Sequence, residues 1–202
     1  MPSQIDEILS EHRSIRAVLD GMNYLVRERR TAGAAVDPKV FGAMLYYLDV
    51  FAERVHHPRE EAGVFEVVRH RNARMDAILD ELDREHESGE SAMRSLEQAY
   101  LRYLEGGDRE LAAFARKVES YVENYLEHMR REEELVLPYA RELLAAGEST
   151  PSAAAGADIA DPLHGAESTD YRKLFARIVN LAPPPIGLGP VPEQPHRRSW
   201  LP

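Results

Sequence analysis

Along residues 1–147, apolar side chains recur at the three-then-four spacing of an α-helix rather than in alternation. The first stripe is Ile5, Ile8, His12, Ile15, Leu19, Met22 and Val26, and it stops around Thr31-Ala32-Gly33. The second helix is expected from about Asp37, an N-cap ahead of Pro38, to about His70. The third stripe carries Leu79, Leu82, His86, Gly89, Met93, Leu96, Tyr100 and Tyr103, and breaks at Gly106-Gly107. Asp108 is expected to cap the fourth, marked by Leu111, Phe114, Val118, Tyr121, Tyr125, His128, Glu132 and Leu135. Long helices with short connections reverse direction at each turn. The expectation is an all-α fold, an antiparallel up-down four-helix bundle over residues 1–147.

The remainder, residues 148–202, has a different texture. A small, polar, Gly- and Pro-containing linker precedes a short helix expected over 170–182, with Leu174, Phe175, Ile178 and Val179 on its apolar side. Seven of the 13 prolines then fall in the last 22 residues, an extended tail by composition.

Charge and composition narrow the function classes. With 35 acidic against 25 basic residues the net charge is −10, which repels phosphate backbones and anionic lipid. Nucleic-acid and membrane partners are therefore not expected. The chain has no cysteine, which excludes disulfides, thiolate metal sites, iron–sulfur clusters and a cysteine nucleophile. No apolar run approaches the roughly 18–20 residues of a membrane span, and the acidic N-terminus lacks the features of a signal peptide. A cytoplasmic monomer or homodimer is expected.

The chemistry lies in the residues that interrupt the stripes. Burying His12, His86, His128 or Glu132 without partners costs several kcal/mol, roughly, so each needs one. Histidine and glutamate stand four apart at His56/Glu60, His57/Glu61, His86/Glu90 and His128/Glu132, which places each pair on one helix face. The order also repeats. His12 is followed 44 residues later by His56-x-x-x-Glu60, and His86 is followed 42 residues later by His128-x-x-x-Glu132. In an up-down bundle these positions fall at one height, so four helices deliver ligands to one centre.

The candidate metal ligands are His12, His56, Glu60, His86, Glu90, His128 and Glu132. His56 is preferred to His57, although Pro58 is expected to kink the helix and swing His57 inward. Glu61, Glu133 and Glu134 read as solvent-facing or supporting groups, and His70, His164 and His196 as surface residues. The tyrosines at core spacing read as packing groups, each with one hydrogen bond. Imidazole and carboxylate without thiolate favour iron, with zinc or manganese as alternatives. Seven ligands suit two ions, with Glu60 and Glu132 bridging.

The stretches SEHRSIRAVLD, ERVHHPREEAGVFEV, DREHESGESAM and HMRREEELVLPYA together resemble the bacterial hemerythrin-like family, the HHE cation-binding domain, over about residues 3–147. The resemblance implies a four-helix bundle with a non-haem, oxo- or hydroxo-bridged di-iron centre. Such a centre binds O2 or a related small molecule, NO or peroxide, for sensing, storage or delivery. Carried over by position, the implied ligands are His12, His56, Glu60, His86, His128 and Glu132. Oxygen carriers of the family have histidine where this chain has Glu90, a departure that makes the site more anionic and disfavours reversible O2 carriage. A di-iron oxidase or peroxide-consuming enzyme, and a metal-stapled structural or interaction domain, are the alternatives. Met93 and Phe114 are expected to help wall a ligand pocket.

Overall fold

The computed structural model describes residues 3–148 together with 178–180, 182, 186 and 187. Every regular element among the described residues is helical. The elements join into four rods: α1 (Gln4–Ala32), α2 (residues 38–68), α3 (Ala73–Gly106) and α4 (residues 108–145).

Local chemistry sets the ends of these rods. Ser3 accepts from the Asp6 backbone N–H while the Asp6 carboxylate accepts from the Ser3 backbone, a reciprocal cap that starts α1. Gly33, at φ 66°, takes the left-handed conformation that closes it. Asp37 caps α2 through the Lys39 N–H, with Pro38 in the first turn, and Asn72 caps α3 through the Arg74 N–H. The fourth start differs from expectation. Gly107 holds the cap position without a side-chain bond, and Asp108, already inside the helix, pairs with Arg29.

Two packed layers flank a polar waist. In one, Ile5 and Ile8 from the start of α1 meet Val64, Phe65 and Val68 near the end of α2. Met75, Leu79 and Leu82 from the start of α3 join them, with Val136, Leu137 and Ala140 from late α4. In the other, Ile15 to Val26 pack with Val40 to Ala52, Met93 to Tyr103 and Leu111 to Met129. Burial of this many Leu, Ile, Val and Phe side chains, at about 1.5–3 kcal/mol each, is what offsets the cost of holding polar groups between the layers. Phe114 stacks on Tyr103 within the second layer, and Met93 is 1% exposed in the same layer, so both are core residues rather than pocket walls. The expected short helix and tail fall almost wholly outside the described residues, but Ile178, Ala182 and Ile186 pack on the second layer.

The rods α2 and α4 are not uniform α-helix. Leu48–His56, Glu61–Phe65 and Glu132–Val136 adopt the wider π turn. Two of the three stretches run up to a proline, Pro58 and Pro138. A proline ring clashes with the carbonyl four residues back and offers no N–H, and widening the preceding turn relieves both. In both rods a π turn also begins at the glutamate of the His-x-x-x-Glu motif or just after it.

Candidate metal centre

The waist collects side chains from all four rods. His12 and His56 are fully buried, Glu60 is 1% exposed and Glu132 is 0%. His128 and His86 are 5% and 9% exposed. Glu60 reaches both histidines of one edge, with Oε1 at 3.1 Å from His12 Nε2 and Oε2 at 3.4 Å from His56 Nε2. Glu132 spans the two edges: Oε2 lies 3.4 Å from His12 Nε2, while Oε1 lies 3.1 Å from His128 Nε2 and 3.8 Å from His86 Nε2. Donor atoms of His12, His56 and Glu60 fall within 4.8 Å of one another, as do those of Glu60, His86, His128 and Glu132.

These groups answer one another poorly as hydrogen-bond partners. His56 Nε2, Glu60 Oε2 and both Glu132 oxygens are buried and make no hydrogen bond. A buried polar atom left so costs about 1–3 kcal/mol, and a concentration of them in a packed core needs an occupant. A cation accepts lone pairs from imidazole and carboxylate alike, so the donor set fits a metal site.

The outer nitrogens are held just as deliberately. His56 Nδ1 lies 2.9 Å from Glu11, His86 Nδ1 2.7 Å from Glu61, His128 Nδ1 2.8 Å from Glu85 and His12 Nδ1 3.0 Å from Glu133. Each bond fixes its ring so that Nε2 faces inward, the carboxylate–histidine arrangement that orients metal ligands. Rod α1 thus orients the ligand of α2, α2 that of α3, α3 that of α4, and α4 that of α1: a closed ring. Arginines back three of these carboxylates, Arg59 on Glu11, Arg131 on Glu85 and Arg16 on Glu133.

Electrostatics follow the same division. Burial disfavours a charged imidazole throughout, and carboxylates decide where it is overcome. Against burial, Glu132 and Glu85 push His128 up to about 10. Glu132 and Glu61 push His86 up to about 9. His12 is raised against burial by Glu60, Glu132 and Glu133. Burial wins at His56, which falls to about 4, and at His57, which falls to about 3. Glu132 is held well below the ordinary carboxylate range by His128, His86 and His12, although its burial acts the other way.

The structure brings together six of the seven expected ligands. The seventh, Glu90, is a correction: its side chain is 67% exposed and pairs with Arg94 on the surface of α3. At about 100° per residue, Glu90 lies about 40° to one side of His86, whereas Leu82, Gly89 and Met93 lie to the other. The i,i+4 spacing holds, but the buried stripe runs away from it. His57, ranked behind His56, is also buried at 4% exposure, because the π turn ending at His56 lets consecutive side chains both face inward.

Among the residues read as solvent-facing or supporting, Glu61 and Glu133 hold His86 and His12, and Glu134 pairs with Arg130 outside. His70 sits in the turn between α2 and α3 at φ 64°. Glu11, Glu53 and Glu85 were not anticipated. The signal for two of them was present: Glu-His occurs at 11–12 and 85–86, and His-x-x-x-Glu-Glu at 56–61 and 128–133, so the supporting glutamates are duplicated along with the ligands.

The family model described as the hemerythrin HHE cation binding domain matches residues 3–140. No curated protein matches the chain, and no solved structure matches it. No helix among the described residues is long and apolar enough to cross a membrane.

Proposed function

Because the chain belongs to the hemerythrin HHE cation-binding family, we propose that its waist holds two iron ions and that the protein binds O2, NO or a peroxide there. In this reading the four rods are an antiparallel up-down bundle. Residues 1–147 are the metal-binding unit and 148–202 an extension to it. His12 and His56 serve one ion, His86 and His128 the other, and Glu60 and Glu132 bridge. Non-haem iron of this kind supplies redox-active coordination positions for a small molecule.

The observation that carries the reading is the set of buried, unbonded donor atoms on His56, Glu60 and Glu132, enclosed by imidazoles whose outer nitrogens are all tied to carboxylates. The protein's own part is to hold four Nε2 atoms and two carboxylates in place and to keep bulk water from them. Iron is favoured over zinc by the number of ligands, since a structural zinc site is satisfied by four. The test is elemental analysis of protein from its native host, joined to optical spectra of the anaerobic ferrous form before and after O2 or NO. About two iron ions per chain and a new visible band on gas addition are expected. Tightly held zinc with no spectral response would overturn the iron reading.

A further inference from the structure

The seam between α3 and α4 carries two adjoining cavities. The larger, about 420 Å³, reaches the waist at His86 and His128 and has Glu53, His57 and Tyr125 at its inner end. Gly89 makes room there, since a Cβ at that position would overlap the Glu53 carboxylate. The smaller, about 340 Å³, lies farther along the seam and is lined by Ala99, Arg102, Ala113, Arg116, Lys117 and Ser120. Lys117 and Ser120 line both cavities, so the two meet.

Their charges differ. Every carboxylate lining the larger cavity is answered: Glu53 accepts from the Tyr121 hydroxyl at 2.8 Å, Glu85 bonds His128 and Arg131, and Glu127 pairs with Arg130. Arg131 is likewise taken up, by Glu81 and Glu85. The wall of the smaller cavity offers two guanidiniums, one ammonium and a hydroxyl, with no carboxylate. Arg102, Arg116 and Lys117 form no ion pair among the described residues, on a chain whose net charge is −10. Glu119, two residues after Lys117, pairs instead with Arg30 of α1. A cleft lined by one sign of charge concentrates ligands of the other.

The internal repeat makes this lining particular to one hairpin. Counted from His12 and His86, Gly21 corresponds to Ser95, Leu25 to Ala99 and Glu28 to Arg102. The first seam is apolar at this height. Ile186 packs into it beside Met44, its Cγ2 2.7 Å from where a Cβ on Gly21 would stand. On α3 the same positions turn hydroxylated, small and basic.

We propose that Arg102, Arg116 and Lys117 bind the phosphate group of a small organic phosphate ester whose body extends into the larger cavity. Guanidinium groups grip phosphate oxygens in pairs, and three cations suit a dianion better than a monocarboxylate. Both volumes fall within the roughly 300–1,000 Å³ of small-molecule sites. The acidic surface elsewhere repels polyanions such as nucleic acid, which leaves small phosphates as the fitting class. The cations stand apart from the waist, so the site does not depend on its metal.

The test is calorimetric titration of metal-loaded protein with phenyl phosphate, inorganic phosphate and benzoate at low salt. Phenyl phosphate should bind tightest. Arg102→Ala and Arg116→Ala should each weaken it at least about tenfold, while Arg109→Ala, an exposed arginine outside the cavity, should not. Ala92→Phe, at an exposed position lining only the larger cavity, should weaken phenyl phosphate and spare inorganic phosphate. Chelated protein should bind as the loaded protein does. No phosphate binding, equal losses in the Arg102, Arg116 and Arg109 variants, or benzoate binding as tightly as phenyl phosphate would overturn the proposal. Binding that vanishes on chelation and ignores Arg102 and Arg116 would place the anion on the metal, overturning the proposal while supporting a metal in the waist.

Discussion

The two edges of the waist are built from one repeated pattern and end in opposite conditions. Counting from the ligands, Ile15 stands three residues after His12 and Gly89 three after His86, while His57 follows His56 and Met129 follows His128. Ile15 and Met129 are both fully buried in the apolar layer that continues from the His12–His56 edge. On the other side Gly89 leaves room, and His57 and Glu53 bring polar atoms into it. Two exchanges, Ile for Gly and Met for His, are the differences in the repeat that accompany one sealed edge and one edge open to a cavity. Repetition supplies the buried histidines and glutamates of the waist, and its imperfections accompany the cavity.

The comparison breaks most completely at the residue the edges share. Glu132→Ala removes a carboxylate that reaches histidines on both sides, so bound metal should fall from about two ions per chain to near none by elemental analysis. Glu60→Ala should do the same. Chelation of wild type should lower the melting temperature clearly while far-UV circular dichroism stays helical, because the unbonded buried atoms then lack a counter-ion. Equal melting curves after verified metal removal would show that the waist does not need one.

Removing a supporting carboxylate tests the edges singly. Glu11→Ala frees His56 on the sealed edge and Glu85→Ala frees His128 on the open one. Each should weaken metal binding about 10–100-fold, measured by competition with a chromophoric chelator. The Glu85 variant should alone change the spectrum of a ligand that enters from the cavity.

The buried histidines also divide by pH once metal is gone, though not along the edges, since His12 on the sealed edge is raised as well. Folded His86 and His128 sit near 9 and 10, above their unfolded value, so the stability they contribute is complete below about 6.5 and disappears as pH rises through 9 to 10. His56 and His57 sit near 4 and 3, so theirs is present above about 6.5 and disappears as pH falls through 4 to 3. Metal-free protein should therefore melt highest near about pH 6.5 and lose stability as pH rises toward 9 to 10 or falls toward 4 to 3, and metal uptake should release protons above that maximum. A flat melting profile across that range would break the assignment. The smallest effect is expected at Glu90: Glu90→Ala loses an exposed ion pair with Arg94, worth under about 1 kcal/mol, and should leave metal content unchanged.

Much of this was legible in the chain. The helical period located four rods, and histidines on apolar stripes pointed to the waist, because a buried imidazole must be answered by something. What escaped notice has definable causes. His57 was ambiguous because a π turn changes the angular step between neighbours, and a period of 3.6 cannot register that. Glu90 was misplaced because spacing fixes which residues share a face but not which way the face turns. Glu11 and Glu85 were hidden beside the ligands they serve on another helix, since adjacency in sequence says nothing of a partner across the bundle. Glu53 became visible only with Gly89, a residue that acts by having no side chain.

The closed ring of carboxylate–imidazole bonds bears on how such a molecule is assembled. Within the hairpin of α1 and α2, Glu11 already steadies His56, but His12 waits on Glu133 from the other half. Within α3 and α4, Glu85 steadies His128, and His86 waits on Glu61. Each hairpin therefore carries one finished ligand, one unfinished ligand and one spare carboxylate shaped for its counterpart. Two identical hairpins placed about a twofold axis would close the same circuit, Glu61 of each meeting the His12 of its mate. The fused chain performs in one polypeptide what a pair of half-length copies could do by association, and separate expression of the two halves, mixed and refolded, should rebuild the ring where either alone does not.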